Sequence, residues 1–114
     1  MLPDDLIRVT HMLEAARKAL SFIVGKQRSD LDHDDMLAFA LIKALEIIGE
    51  AAVNMSDEFR KSHPEIPWAK IAGMRHRLVH AYFEVNFDIL WLAMKDDLPP
   101  LTDSLEKIIE SNKP

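Results

Sequence analysis

The sequence has no cysteine, which removes disulfides, thiolate nucleophiles and cysteine-rich zinc sites together. It has only three glycines in 114 residues and no stretch that alternates apolar and polar residues as a half-buried strand would. Its longest uninterrupted apolar run, Met36 to Ile42, falls far short of the ~20 residues that span a bilayer. The opening Met1-Leu2-Pro3-Asp4-Asp5 is acidic where a secretory leader would be basic. These absences lead to the expectation of a soluble, cytoplasmic protein without a membrane partner. The length suits one domain with one core, residues 1–114, and an apolar content of 48% can fill that core without cross-links.

What is present is helical periodicity. Leu6, Val9, Leu13, Ala16, Leu20 and Ile23 recur at three- and four-residue spacings, which predicts an amphipathic helix opened by Pro3-Asp4-Asp5. The polar stretch from Gly25 to Asp35 predicts a turn. A second helix, from about Asp35 to Asn54, is apolar on several faces through Leu37, Phe39, Leu41, Ile42, Leu45, Ile47 and Ile48, and is expected at the centre of the bundle. Ser56-Asp57-Glu58 starts a short third helix that His63-Pro64 stops. Pro67 suits the first position of a fourth, which turns Ile71, Met74 and Leu78 inward and runs to about Tyr82. Asn86 can cap a fifth helix through Leu90, Met94, Leu98, Leu101, Leu105 and Ile108, with a kink or break expected at Pro99-Pro100. The fold class is therefore all-α: an up-and-down bundle of four long helices plus one short one.

The formal net charge of -5 argues against a general nucleic-acid binder. The charge is unevenly spread, however. From Arg60 to His80 stand five basic residues (Arg60, Lys61, Lys70, Arg75, Arg77) against the single acid Glu65, so this window is +4 and the rest of the chain is -9. His63, His76 and His80 fall in the same window. A basic patch on an acidic body suits an anionic ligand held at one place, although an ordinary solvated face has the same composition.

At the end of that window and just past it, Arg75, His80 and Tyr82 have the makings of metal-free RNA cleavage. A neutral imidazole can take the proton of a ribose 2′-OH, and a permanently charged guanidinium can hold the charge that develops on the phosphorane. At ~100° per residue, Arg75 and Tyr82 lie within ~20° of each other around a helix, whereas His80 points ~140° away from Arg75. Either the helix end bends, or the reach of Arg75 compensates, or the site is composite across a dimer. The competing structural reading packs His80 under the helix end and pairs Arg75 and Arg77 with acids such as Glu46 or Glu50. On the central helix, Glu46 and Glu50 stand four apart and either orient an active-site Arg or His or form a surface pair. His76 and His80 have a metal-ligand spacing, but Arg77 stands between them where no ligand carboxylate does. The acidic run Asp30 to Asp35 lacks the glycine and terminal glutamate of a calcium loop. Trp68 and Trp91 read as core residues rather than base-stacking platforms.

The segment Gly73-Met74-Arg75-His76-Arg77-Leu78-Val79-His80-Ala81-Tyr82-Phe83 resembles the signature of the HepT-like branch of the HEPN superfamily. That pattern is Arg, a polar residue, three more positions, His, one residue, Tyr. The likeness extends to Ala44–Ala52, which looks like the family's second helix, to Pro64-Glu65-Ile66-Pro67-Trp68 before the motif, and to Asp88-Ile89-Leu90-Trp91 after it. One departure is His76, where the pattern most often has Asn. The resemblance implies a homodimeric, metal-independent ribonuclease without a cofactor, with Arg75 and His80 as its catalytic pair and tRNA or mRNA as substrate. Around that pair, His76, Arg77 and Glu50 are candidates for support and phosphate binding. The resemblance further implies a toxin accompanied by a minimal nucleotidyltransferase antitoxin, which silences it by transferring AMP to Tyr82. The alternative is a non-catalytic dimeric module that binds such a partner or a nucleotide.

Overall fold

A computed structural model describes residues 1–80 and 85–113, with the side chains of all of these except Val79 and His80. The chain forms α1 (Pro3–Phe22), a 3-10 turn (Arg28–Asp32), α2 (Asp35–Val53), α3 (Asp57–Ser62), α4 (Trp68–His80), α5 (Phe87–Leu92), a π-helical segment (Ala93–Asp97) and α6 (Leu98–Ser111). There is no strand among the described residues. Since α5, the π segment and α6 run on without a gap, the result is the expected bundle of four long helices and one short one. No helix among the described residues is long and apolar enough to cross a membrane.

The apolar spacing decides which faces pack. Val9, Leu13, Ala16 and Ile23 of the first stripe are buried, joined by Met12, Ala15 and Ala19, while Leu6 at the entrance is 37% exposed. α2 lies between α1 and α4, and α1 between α2 and α6, so the two helices share the inner places of the bundle. Ten residues of α2 are buried, but Met36, Phe39 and Ile47 face outward. This helix has more hydrophobic residues than the interior has room for.

Local chemistry fixes the ends. Gly25 takes φ 75°, the left-handed conformation that turns the chain out of α1. The acidic run that follows is spent on capping and pairing. Asp30 accepts from Gln27 N–H (2.6 Å), Asp34 caps α2 by accepting from Leu37 N–H (3.0 Å), and Asp32 pairs with Arg28 (3.0 Å). Ser56 caps α3 by accepting from Phe59 N–H (3.1 Å). The Ser56 N–H and Oγ–H in turn donate to the two carboxylate oxygens of Asp5, at 2.9 and 2.6 Å. Asp5 is therefore more than a first-turn acid: it is 2% exposed and ties the start of α1 to the start of α3.

The break expected at Pro99-Pro100 does not occur. Both prolines fall in the first turn of α6, directly after a widened turn, so the N–H groups they lack are missing where the hydrogen-bond pattern has already shifted. The preceding residues widen instead: Leu98 N–H bonds to Ala93 C=O, five residues back. Leu90, Met94, Leu98, Leu101, Leu105 and Ile108 are all buried as predicted, and the wider turn keeps the four-residue steps among the first three on the core side.

Candidate active site

α4 brings the motif to the bundle. Leu78 is buried, and Ile71 and Met74 pack on the core, so that face of the helix is seated on α2 and its neighbours. Trp68 starts the helix with its indole N–H donating to His63 C=O (3.0 Å) and its ring edge-on to Phe59. It thus serves packing, as does Trp91, which lies half-buried against the core.

Arg75 is half-buried on the α2 side of α4. Its guanidinium makes no hydrogen bond or ion pair among the described residues, and the pairing with Glu46 or Glu50 that would have made it structural is not formed. Glu46 is 3.9 Å from Lys43, and Glu50 is exposed. Arg77 is exposed and also unpaired among the described residues. It lies on the wall of a cleft of about 420 Å³ between α4 and the α5–π region, with Gly73, Met74, Ile89, Leu92, Asp96 and Asp97 around it. His76 is exposed on α4. His80 is the last residue of α4, but its side chain and the whole of Tyr82 lie outside the described residues.

The +4 of the basic window is smaller in space than along the chain. Arg60 is paired with Asp57, and Lys70 with Asp97 at 2.8 Å, and Asp97 comes from beyond the window, as does Asp57. His63 stands 3.2 Å from Glu65. Within that window, the described cations left without a partner are Lys61, Arg75 and Arg77, and two of those three belong to the motif.

Gly49 escapes a reading of the sequence alone. A Cβ at this buried position in α2 would stand 2.3 Å from Arg75 Cβ and 2.8 Å from its Cγ, so α4 crosses α2 with Arg75 directly over the glycine. The signal that could have found it is a lone glycine inside an otherwise apolar helix, which weakens that helix unless close packing requires it.

Residues 12–108 match the family model described as ribonuclease HepT-like. The chain belongs to the HepT-like ribonuclease family. It is 39% identical over 105 residues to a protein of Thermococcus cleftensis named probable ribonuclease HepT, covering 92% of this chain and 90% of that one. A Caldanaerobacter subterraneus protein named as a candidate RNase is 37% identical over 103 residues, 90% of this chain and 92% of that one. A longer Methanocaldococcus jannaschii protein, whose name joins a gamma-glutamylcyclotransferase to a candidate RNase, is 36% identical over 110 residues, 96% of this chain but 50% of its own length. No solved structure matches the chain. The resemblance read from the motif and its flanks is thus borne out as family membership, and with it the enzyme class, ribonuclease.

Proposed function

We propose that this HepT-like protein is a metal-independent endoribonuclease in which Arg75 and His80 act on one phosphodiester. The observation that carries the reading is Arg75: a half-buried motif arginine whose guanidinium no carboxylate engages among the described residues. A charge that no described carboxylate engages is suited to an anion that arrives from outside. The His80 imidazole takes the proton of a ribose 2′-OH, the 2′-oxygen attacks the adjacent phosphorus, and the 5′-oxygen departs and is protonated. The products are a 2′,3′-cyclic phosphate and a 5′-hydroxyl end. Arg75 stabilises the extra negative charge of the phosphorane, and Arg77 holds a neighbouring phosphate from the cleft wall.

The active species is a symmetric dimer. α4 runs as one α-helix from Trp68 to His80, and on one ideal helix positions 75 and 80 stand ~140° apart. A two-fold axis along α4 supplies Arg75 from one protomer and His80 from the other. The small, exposed Ala69 and Gly73 allow a second helix to come close, since nothing lies within 4 Å of where a Cβ of Gly73 would be. Residues 1–114 act as one domain, a reading supported by the longer archaeal protein of which the matched region is half.

The setting is a toxin–antitoxin pair. A minimal nucleotidyltransferase transfers AMP from ATP to the Tyr82 phenolic oxygen, with pyrophosphate leaving, and the tethered phosphate competes with RNA for the motif arginines. The test is incubation of purified protein with tRNA and mRNA in EDTA. Cleavage with 2′,3′-cyclic phosphate ends is the expected result. RNA left intact, or cleaved only after a divalent metal is restored, would sink the mechanism and favour the non-catalytic module.

A further inference from the structure

Resting on the reading of Arg75 as a catalytic residue, we infer that Gly49 is the positioning residue that aims it. An arginine at an active site is commonly held by a carboxylate that grips its guanidinium. Arg75 has none among the described residues, and what fixes it sits at the other end of the side chain. The bare face of Gly49 forms a notch in α2, and the root of Arg75 fills it.

The closeness of the fit gives the inference its force. An alanine methyl at position 49 would be 2.3 Å from Arg75 Cβ, 2.8 Å from Cγ and 3.4 Å from Cα. Carbon atoms in contact stand roughly 3.5–4.0 Å apart, so α4 must withdraw or roll by about 1 Å. No change of rotamer avoids this, because Cβ is fixed to the backbone and no flexible tip is involved. The contrast within the chain is Gly73, also on α4, where an added Cβ would meet nothing within 4 Å. The notch therefore lies under the turn of α4 that carries Arg75. A displacement of ~1 Å at a charge that must meet a phosphorane lowers turnover on the order of 10²-fold, while ground-state binding of RNA, spread over many phosphates, changes little.

The test is Gly49→Ala, alone and with Arg75→Ala. The single variant should keep its far-UV helicity, lose about 100-fold in kcat and hold KM within about threefold. In the Arg75→Ala background the residue at 75 still has its Cβ, so the drop in Tm caused by Gly49→Ala should recur, yet cleavage should fall no further. A purely structural role predicts a further loss in both backgrounds and would overturn the inference. Should the single variant not fold, relaxation of the side-chain carbons in the wild type decides. Arg75 Cγ should be held nearly as rigidly as core methylenes, and mobility equal to that of Arg77 Cγ refutes the notch. Wild-type activity in Arg75→Ala would remove the catalytic reading itself. Wild-type activity in folded Gly49→Ala, with Arg75→Ala inactive, would remove only the positioning role.

Discussion

Replacing Arg75 by alanine should separate chemistry from folding more cleanly than most active-site substitutions do. The guanidinium has no ion pair to lose among the described residues, so its removal orphans no buried carboxylate. The Cβ that rests over Gly49 is retained, and the α2–α4 crossing keeps its contact. What is lost from the fold is about half the burial of two methylenes, on the order of 1 kcal/mol, or a Tm lower by roughly 4 °C in a chain of this size. Cleavage should fall far more. A donor aimed at the developing phosphorane charge contributes roughly 3–4 kcal/mol, a factor of about 10² to 10³ in rate. The assay is cleavage of a fluorogenic oligoribonucleotide in EDTA, well below Tm, with circular dichroism at 222 nm on the same samples. His80→Ala should show a loss of about two orders of magnitude for the loss of its base. Cleavage by Arg75→Ala within threefold of wild type would refute the assignment. A fall in Tm beyond about 15 °C would show that Arg75 is a structural residue.

Asp5→Ala should destabilise the fold by roughly 2–4 kcal/mol, because two hydrogen bonds to a buried charge are lost and the Ser56 N–H is left without its acceptor. Thermal melting should show a Tm lower by about 10 °C, with Asp5→Asn in between, and an unchanged Tm would mean that the α1–α3 tie carries no weight. Light scattering at micromolar concentration should return twice the chain mass; a strict monomer that still cleaves RNA contradicts the composite site. Protein co-expressed with an adjacent nucleotidyltransferase should carry AMP on Tyr82 by mass spectrometry, and Tyr82→Phe should escape silencing. Full silencing of the phenylalanine variant would place control elsewhere.

The helices were legible because burial here follows spacing. The residues of the stripe from Leu90 to Ile108 are picked out by a three- and four-residue count, and all of them are buried. What spacing does not contain is how a helix tolerates a defect. Two adjacent prolines read locally as a break, yet placing them in the first turn of α6 and widening the turn before them costs less than abandoning six buried side chains. Asp5 was opaque for a related reason. Its neighbours mark it as a helix-opening acid, and the Ser56 that buries it lies 51 residues away.

The candidate site was legible in its residue types and hidden in its supports. The order of Arg, His and Tyr in one segment identified a family, since those side chains carry chemistry that an ordinary helix does not need. Their surroundings depend on pairs that are distant in sequence. Charge counted along the chain overstated the basic patch, because Asp57 and Asp97 approach from outside the window and take up Arg60 and Lys70. It also left open whether Arg75 was spoken for, and its lack of a partner among the described residues emerges only once Glu46 is seen beside Lys43 and Glu50 is seen exposed. A side chain's identity can be read from one position, whereas its availability depends on everything packed around it. For Arg75 both the absence of a carboxylate among the described residues and the presence of a glycine beneath it are properties of the α2–α4 crossing.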